Sequence, residues 1–240
     1  MNKLFVPDYN FHQTLLGGQA FNWELVRDSR GSEIFYGTTQ DKLIKIEFGR
    51  NPHTGTGDEI FWQTYPKNDD YEFIKKYFRL NIDYKNILLR LKKDEHVAKA
   101  MEACPNLRLL SQDFDQTVLS FIVSSFNSIK SIRTRINKMK RDLSEQIRVD
   151  GRVFYLFPKT EAIADARLDL LTSHSLGYRA KYIKEASNML LQSNLAGKTA
   201  NFDEESTRSE LLKLPGVGDK VADCIMVFSL GYDNLTPLDV

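Results

Sequence analysis

Residues 211–230 read Leu-Leu-Lys-Leu-Pro-Gly-Val-Gly-Asp-Lys-Val-Ala-Asp-Cys-Ile-Met-Val-Phe-Ser-Leu. No other stretch of the chain limits the fold so tightly. Two apolar segments flank Pro215-Gly216-Val217-Gly218. Val221, Cys224, Ile225 and Phe228 recur at i, i+3, i+4 and i+7, which is one face of a helix. Pro215 and the two glycines stop the preceding helix and turn the chain sharply, and Gly231 is placed to end the second helix. The spacing therefore predicts two helices joined by a tight hairpin. Glycine lets backbone come close to a ligand. The N–H groups of Gly216, Val217 and Gly218, with the positive end of the second helix, make a nest for an anion such as a nucleic-acid phosphate.

Lys220 falls in the first turn of that second helix. The helix dipole disfavours a cation there, and partial burial would disfavour it further. Both effects push the amine toward its neutral, nucleophilic form. By position alone Lys220 can also be a solvated surface lysine. Farther on, Thr236-Pro237-Leu238-Asp239-Val240 places a carboxylate just after a proline-fixed bend. Asp239 taken alone can also be a helix N-cap.

At 240 residues the chain can bury a full core and hold one large or two modest domains. A net charge of +1 does not announce a nucleic-acid binder, although a basic surface can be placed locally. Such a stretch exists: residues 130–152 carry eight basic and three acidic side chains. A phosphate track and a solvated helix face explain it equally. Cys104 and Cys224 lie far apart and give neither a disulfide framework nor metal-ligand spacing, so no metal and no cofactor is expected. The first eight residues lack an apolar signal core, and no apolar run approaches the ~18 residues of a membrane span. A reducing compartment, no membrane partner and a monomer are expected: cytoplasmic and nucleoid-associated in a prokaryote, nuclear in a eukaryote.

The first 50 residues read as strands. Phe21, Trp23 and Leu25 alternate with polar neighbours, as do Ile44, Ile46 and Phe48, which predicts an antiparallel sheet with one buried face. Residues 51–58 read as a loop, and Phe61-Trp62 as a further strand. From Tyr71 the spacing turns helical, with stripes through Ile74 and Phe78, through Ile87 and Leu91, and through Val97 and Met101. Pro105 marks the expected boundary. Beyond Asp113 the pattern is helical almost throughout, with Val153–Pro158 as an irregular link and Thr160 as the N-cap of the helix that follows.

The hairpin, with the Pro-Leu-Asp-Val that follows it, resembles the signature of the helix–hairpin–helix DNA glycosylases, and within them the 8-oxoguanine DNA glycosylase/AP lyase family. Gly18-Gln19-Ala20-Phe21-Asn22-Trp23, the central runs Leu109–Asp113 and Phe121–Ile129, and Leu176-Gly177-Tyr178-Arg179-Ala180-Lys181-Tyr182 resemble further family motifs in family order. The resemblance implies an α+β chain. An N-terminal antiparallel β-sheet domain with trailing helices, 1–105, would be followed by an all-α helix–hairpin–helix DNA glycosylase domain, 106–240. The family continues past Asp239 with helices that cover the base, so the chain is expected to lack them. No four-cysteine cluster follows the hairpin to support the iron–sulfur site of the endonuclease III branch.

The resemblance also implies roles. Lys220 is the nucleophile that expels a flipped base and forms a Schiff base, and Asp239 stabilises the cationic sugar and helps orient or deprotonate the lysine. Gly18 supplies the carbonyl that accepts the ring N–H found on 8-oxoguanine and not on guanine. Cys224 lies against the flipped base, or is an ordinary small core residue. Tyr178 is the wedge beside the vacated stack, or a core aromatic; Asn127 and Arg179 face the orphaned partner base. The substrate implied is double-stranded DNA containing an oxidised purine. Two departures bear on that partner base. Phe126 stands where animal members carry Asn, and Ser131 where they carry Arg, so a relaxed preference for cytosine is expected, with Arg179 keeping one donor. Two other readings remain: a monofunctional alkylpurine glycosylase, which would not need Lys220, and a non-catalytic DNA-binding module.

Overall fold

A computed structural model describes residues 1–48, 59–68, 70–199 and 201–238. The chain divides into two compact units, one of residues 1–37 with 44–111 and one of 38–43 with 112–240. The loop expected at 51–58 lies outside the described residues.

In the first unit the elements run β1 (Asn2–Phe5), α1 (Phe11–Leu16), β2 (Trp23–Arg27), β3 (Glu33–Thr38), β4 (Leu43–Phe48) and β5 (Glu59–Tyr65). Helices α2 (Tyr71–Tyr77), α3 (Tyr84–Leu91) and α4 (Glu95–Ala103) follow. The strands form one five-stranded antiparallel sheet in the order β1-β5-β4-β3-β2. Its buried face carries the alternating residues Trp23, Phe35, Ile44, Ile46, Ile60 and Trp62, closed by Ile74 and Phe78 from the segment around α2. Gly37 leaves room for the Trp23 ring: a Cβ there would sit 2.4 Å from it. One difference from the sequence reading is α1, a single short turn-and-a-half that interrupts the strands. It is started by Asn10, whose side chain accepts the Gln13 N–H at 3.0 Å. Six residues are too few to show a helical period.

In the second unit the order is α5 (Phe114–Ser124), α6 (Ile129–Leu143), β6 (Gln146–Val149), β7 (Arg152–Tyr155), α7 (Thr160–Asp165), α8 (Leu168–Leu171), α9 (Arg179–Ser193), α10 (Leu195–Thr199), α11 (Glu204–Leu211) and α12 (Asp219–Ile225). A wider, π-type turn over Met226–Leu230 completes it. Helix α5 is buried nearly all round, from Phe114 to Val123, and packs against α6, α9 and α12. It is the axis about which the other helices are placed. The pair β6–β7 corrects the irregular link read from the sequence. Asp150 and Gly151, both at positive φ (51° and 73°), turn the hairpin, as an Asp-Gly pair does in the tight turns whose twist suits two strands. A second correction concerns α7. Lys159 is its N-cap, and Thr160 is already helical, its hydroxyl donating to the Asp115 carboxylate at 2.7 Å.

Candidate active site

The hairpin forms as its sequence dictates. Helix α11 ends at Leu211, Gly216 turns the chain at φ 84°, and Gly218 is the extended N-cap of α12 (φ −106°, ψ −175°). The two glycines are needed for different reasons. Gly216 is left-handed and crowded: a Cβ there would lie 3.0 Å from both Ile122 and Tyr182. Gly218 has an ordinary φ and open space where a Cβ would stand. Val217 is buried, and its N–H closes the turn on the Leu214 carbonyl at 3.1 Å. The groups left facing outward belong to the exposed end of the hairpin at Gly218, Asp219 and Lys220.

Lys220 stands exposed in the first turn of α12. The partial burial entertained from the sequence is absent. Asp239 lies outside the described residues. On the inner face of α12, Cys224 is a buried thiol in no disulfide. The hairpin is held from behind by Arg208 of α11, which meets Asp223 of α12 at 2.5 Å as a charge pair lacking hydrogen-bond alignment. After α12, Phe228 stacks on Phe121 of α5 with ring centres 5.6 Å apart. The Phe228 carbonyl accepts the Gln112 N–H at 2.8 Å, and Ser229 Oγ donates to the Gln112 carbonyl at 3.0 Å.

In the first unit Gly18 lies in the loop between α1 and β2 at φ 107°, a conformation side-chain-bearing residues rarely adopt. The loop is pinned by its neighbour. Buried Gln19 donates to the Arg108 carbonyl at 2.7 Å and accepts the Leu110 N–H at 2.8 Å. Trp23, the last residue of the motif, donates to the Tyr77 hydroxyl at 2.9 Å. The sequence marked Gly18 alone as functional; Gln19, whose side chain pins the loop beside it, is the residue it missed.

Two further loops of the second unit come together. Between α5 and α6, Phe126 sits at φ 52° and is 97% exposed. The Asn127 side-chain amide donates to the Val123 and Ser125 carbonyls, each at 3.0 Å, while its oxygen accepts from Arg135. The Ser131 hydroxyl pairs with that of Ser128, the N-cap of α6, at 3.1 Å. Before α9, Ser175 (φ 66°) and Gly177 (φ 59°) bend the chain so that Tyr178 is 56% exposed, which removes the core-aromatic reading of Tyr178. Arg135 Nε donates to the Ser175 carbonyl and Lys138 to its hydroxyl, both at 2.8 Å. Arg179 is only 8% exposed. Its guanidinium donates to the Ser125 carbonyl and lies 4.3 Å from the centre of the Tyr178 ring. Arg135 and Arg179 thus tie the two loops together. Neither role was visible in the sequence, where Arg135 was one member of a basic run. Among the described residues no helix is long and apolar enough to cross a membrane.

Comparison with known proteins finds similarity along most of the chain. The family described as 8-oxoguanine DNA glycosylase, N-terminal domain, matches residues 3–118. An N-glycosylase/DNA lyase of Saccharomyces cerevisiae is 31% identical, over 70% of this chain and 48% of its own length. One of Arabidopsis thaliana is 29% identical, over 99% of this chain and 65% of its own. The chain therefore spans from about half to just under two thirds of the length of these relatives. The structure of the Clostridium acetobutylicum 8-oxoguanine glycosylase/lyase in its apo-form superposes with a TM-score of 0.83 at 26% identity, covering 97% of this chain and 78% of that one.

Proposed function

The chain belongs to the 8-oxoguanine DNA glycosylase family, and from that premise we propose that it excises 8-oxoguanine from duplex DNA through a lysine Schiff base and then cleaves the strand as an AP lyase. The observation that carries this reading is the exposed Lys220 in the first turn of α12, directly behind the Pro215–Gly218 turn. A monofunctional glycosylase that activates water has no use for an amine at that place.

The chemistry follows from the groups. A base inside a duplex cannot be reached, so the nucleotide must be extruded, at a cost of a few kcal/mol. The backbone N–H groups at the exposed end of the hairpin, beginning at Gly218, hold backbone phosphates, contacts that position the DNA without reading it. Tyr178, exposed at the head of α9, supports the gap. The flipped base meets the Gly18 carbonyl, which accepts the ring N–H of 8-oxoguanine; guanine would leave that acceptor unpaired, and the penalty for a buried unpaired polar group provides the discrimination. Cys224 packs near the base. The neutral Lys220 amine attacks the anomeric carbon as the base departs with the electrons of the glycosidic bond. Positive charge develops on the sugar, and Asp239 is assigned to stabilise it and to take the proton from the amine. Ring opening gives the Schiff base, from which loss of a sugar proton expels the 3′ phosphate. The partner is duplex DNA, the acting species a monomer, and no cofactor is required.

The test separates excision from strand cleavage. A labelled duplex with one 8-oxoguanine should be nicked by the unaltered chain without added alkali. Nicking that needs alkali would leave a glycosylase without lyase activity. No release of base under either condition would leave only the DNA-binding reading.

A further inference from the structure

In the first unit a cleft of about 640 Å³ is lined by the end of β1, the turn after α2, helix α3 and the segment that reaches Arg108. That size falls within the ~300–1,000 Å³ of small-molecule sites. Part of the lining is apolar. Val6, Leu80, Leu88 and Leu89 contribute to it, and Leu89 stays 57% exposed on a helix that buries no residue. The rest is largely cationic. Arg79 and Arg108 both line the cleft, and both are buried. Lys85 and Lys92 stand exposed at its rim. Against these four cations the lining carries two carboxylates, Asp8 and Asp83. Asp83 is already engaged as the N-cap of α3, accepting the Asn86 N–H at 3.2 Å. Three of the lining residues, Asp8, Arg79 and Asn106, hold left-handed backbone at φ 55°, 53° and 59°. Such backbone costs energy and gathers where a site is shaped for a ligand.

Arg108 is the centre of the cleft. Its backbone is fixed independently of its side chain: the N–H donates to the Thr14 hydroxyl at 3.1 Å, and the carbonyl accepts from Gln19 at 2.7 Å. The guanidinium lies over the Tyr84 ring, 4.5 Å from its centre, and donates to the Leu107 carbonyl at 3.2 Å. Burial lowers its pKa and outweighs the opposing pull of Tyr84, Asp8 and Tyr9. A cation in that position is short of negative charge. Tyr9 does not supply it. Its hydroxyl is buried and makes no hydrogen bond among the described residues. Burial, with the neighbouring Tyr84 and Tyr77, holds its pKa well above the ordinary value against the pull of Arg108 and Arg79, so it stays a neutral phenol. We propose that this cleft binds a small organic phosphate, a phosphate monoester with a compact apolar body. The planar fork of Arg108 matches phosphate oxygens. Arg79, Lys85 and Lys92 add positive charge, and the apolar body lies against Leu88 and Leu89. A phosphate monoester carries up to two negative charges near neutral pH, which answers the surplus of two cations; a carboxylate carries one. The site belongs to the first unit alone and is independent of the excision reading.

The experiment is an NMR titration of the 240-residue chain with phenyl phosphate. One equivalent should bind with a Kd of about 1 mM or tighter, the range a ligand of that size reaches. Inorganic phosphate, which lacks the apolar body, and benzoate, which lacks the second charge, should each bind about tenfold more weakly or worse. Arg108→Gln should weaken phenyl phosphate by about tenfold or more. Leu89→Glu alters an exposed side chain and places a carboxylate in the cleft, so it should weaken phenyl phosphate without disturbing the fold. Leu89→Ser should weaken phenyl phosphate and leave inorganic phosphate unchanged. Gly218→Ala should leave phenyl phosphate binding as it is, which separates the cleft from the hairpin as an anion site. Thermal midpoints check that each variant folds; if Arg108→Gln does not, Leu89→Glu decides. Binding undiminished in the folded variants would overturn the proposal. So would phenyl phosphate that binds no tighter than inorganic phosphate, or no binding at about 10 mM, where a ligand with the expected Kd nearly fills its site. Benzoate that binds as tightly as phenyl phosphate would overturn the assignment to phosphate.

Discussion

Asp113 begins α5 by accepting the Gln116 N–H at 2.9 Å, at the start of the most buried helix in the molecule. Burial holds its carboxyl above the ordinary aspartate range. The bond from Gln116 pulls the other way, and the nearby Asp115 and Asp41 carboxylates add to the rise. With the folded pKa above the unfolded one, the ionised group opposes folding at neutral pH. Stability from this site is regained as pH falls through the folded value toward the unfolded one. Asp113→Asn keeps a capping oxygen and removes the buried charge, so its thermal midpoint at neutral pH should equal or exceed that of the unaltered chain, and the gain on mild acidification should shrink. Asp113→Ala loses the cap and should cost about 1 kcal/mol. Melting curves from about pH 4 to 7 separate the two, the lower end lying near the ordinary aspartate value. A midpoint for Asp113→Asn as low as that of Asp113→Ala would show that the charge itself caps the helix. The candidate residues were less legible at this scale than the chemistry. Lys220 stands out by type and place, whereas Gly18 and Tyr178 are marked only by the family resemblance. What Arg179 and Asn127 touch does not, because Arg179 finds its partner 54 positions earlier and Asn127 accepts from a residue eight positions on. Sequence pattern has no handle on such pairings.

The hairpin of α11 and α12 makes a sharper prediction than its motif did. Gly216→Ala forces a side chain into left-handed backbone and against Ile122 and Tyr182, and should lower the thermal midpoint before any effect on DNA is considered. Gly218→Ala meets neither obstacle, so its midpoint should stay within about 0.5 kcal/mol of the parent, the usual range for an open surface site. Its binding to all duplexes, damaged or not, should weaken, because a methyl group stands where phosphate approaches. Binding titrations on matched damaged and undamaged duplexes check this; a loss confined to damaged DNA would contradict the phosphate role. Elements were legible where periodicity was strong, as in β2, β4, α5, α6 and α9. They were not where it was weak. Helix α11 buries only Thr207 and Leu211 among polar neighbours. The strands β6 and β7 are four residues each, half exposed, and were signalled by Asp150-Gly151 more than by alternation. Helices α3 and α4 show apolar stripes yet bury no residue, so a stripe there predicted the helix and not its burial.

At the scale of the whole molecule, the order of a sheet followed by helices is plain in the sequence, because period-two alternation gives way to helical spacing after Tyr71. The five-stranded sheet built on Trp23, Phe35 and Trp62 and the helices gathered around α5 are the physical outcome of that change of period. Strand order is another matter. That β5 lies between β1 and β4 depends on pairings between distant segments, which local pattern does not encode. The excision and strand-cleavage roles assigned above depend on one covalent event, the bond between Lys220 and the sugar. The most direct measurement is borohydride reduction of the chain on an 8-oxoguanine duplex, followed by mass spectrometry of the cross-linked peptide. The expected result is a stable adduct on Lys220, formed by the unaltered chain and lost in Lys220→Gln while DNA binding stays within several-fold. An adduct of undiminished yield in Lys220→Gln, or none with the unaltered chain under conditions where it binds the duplex, would contradict it.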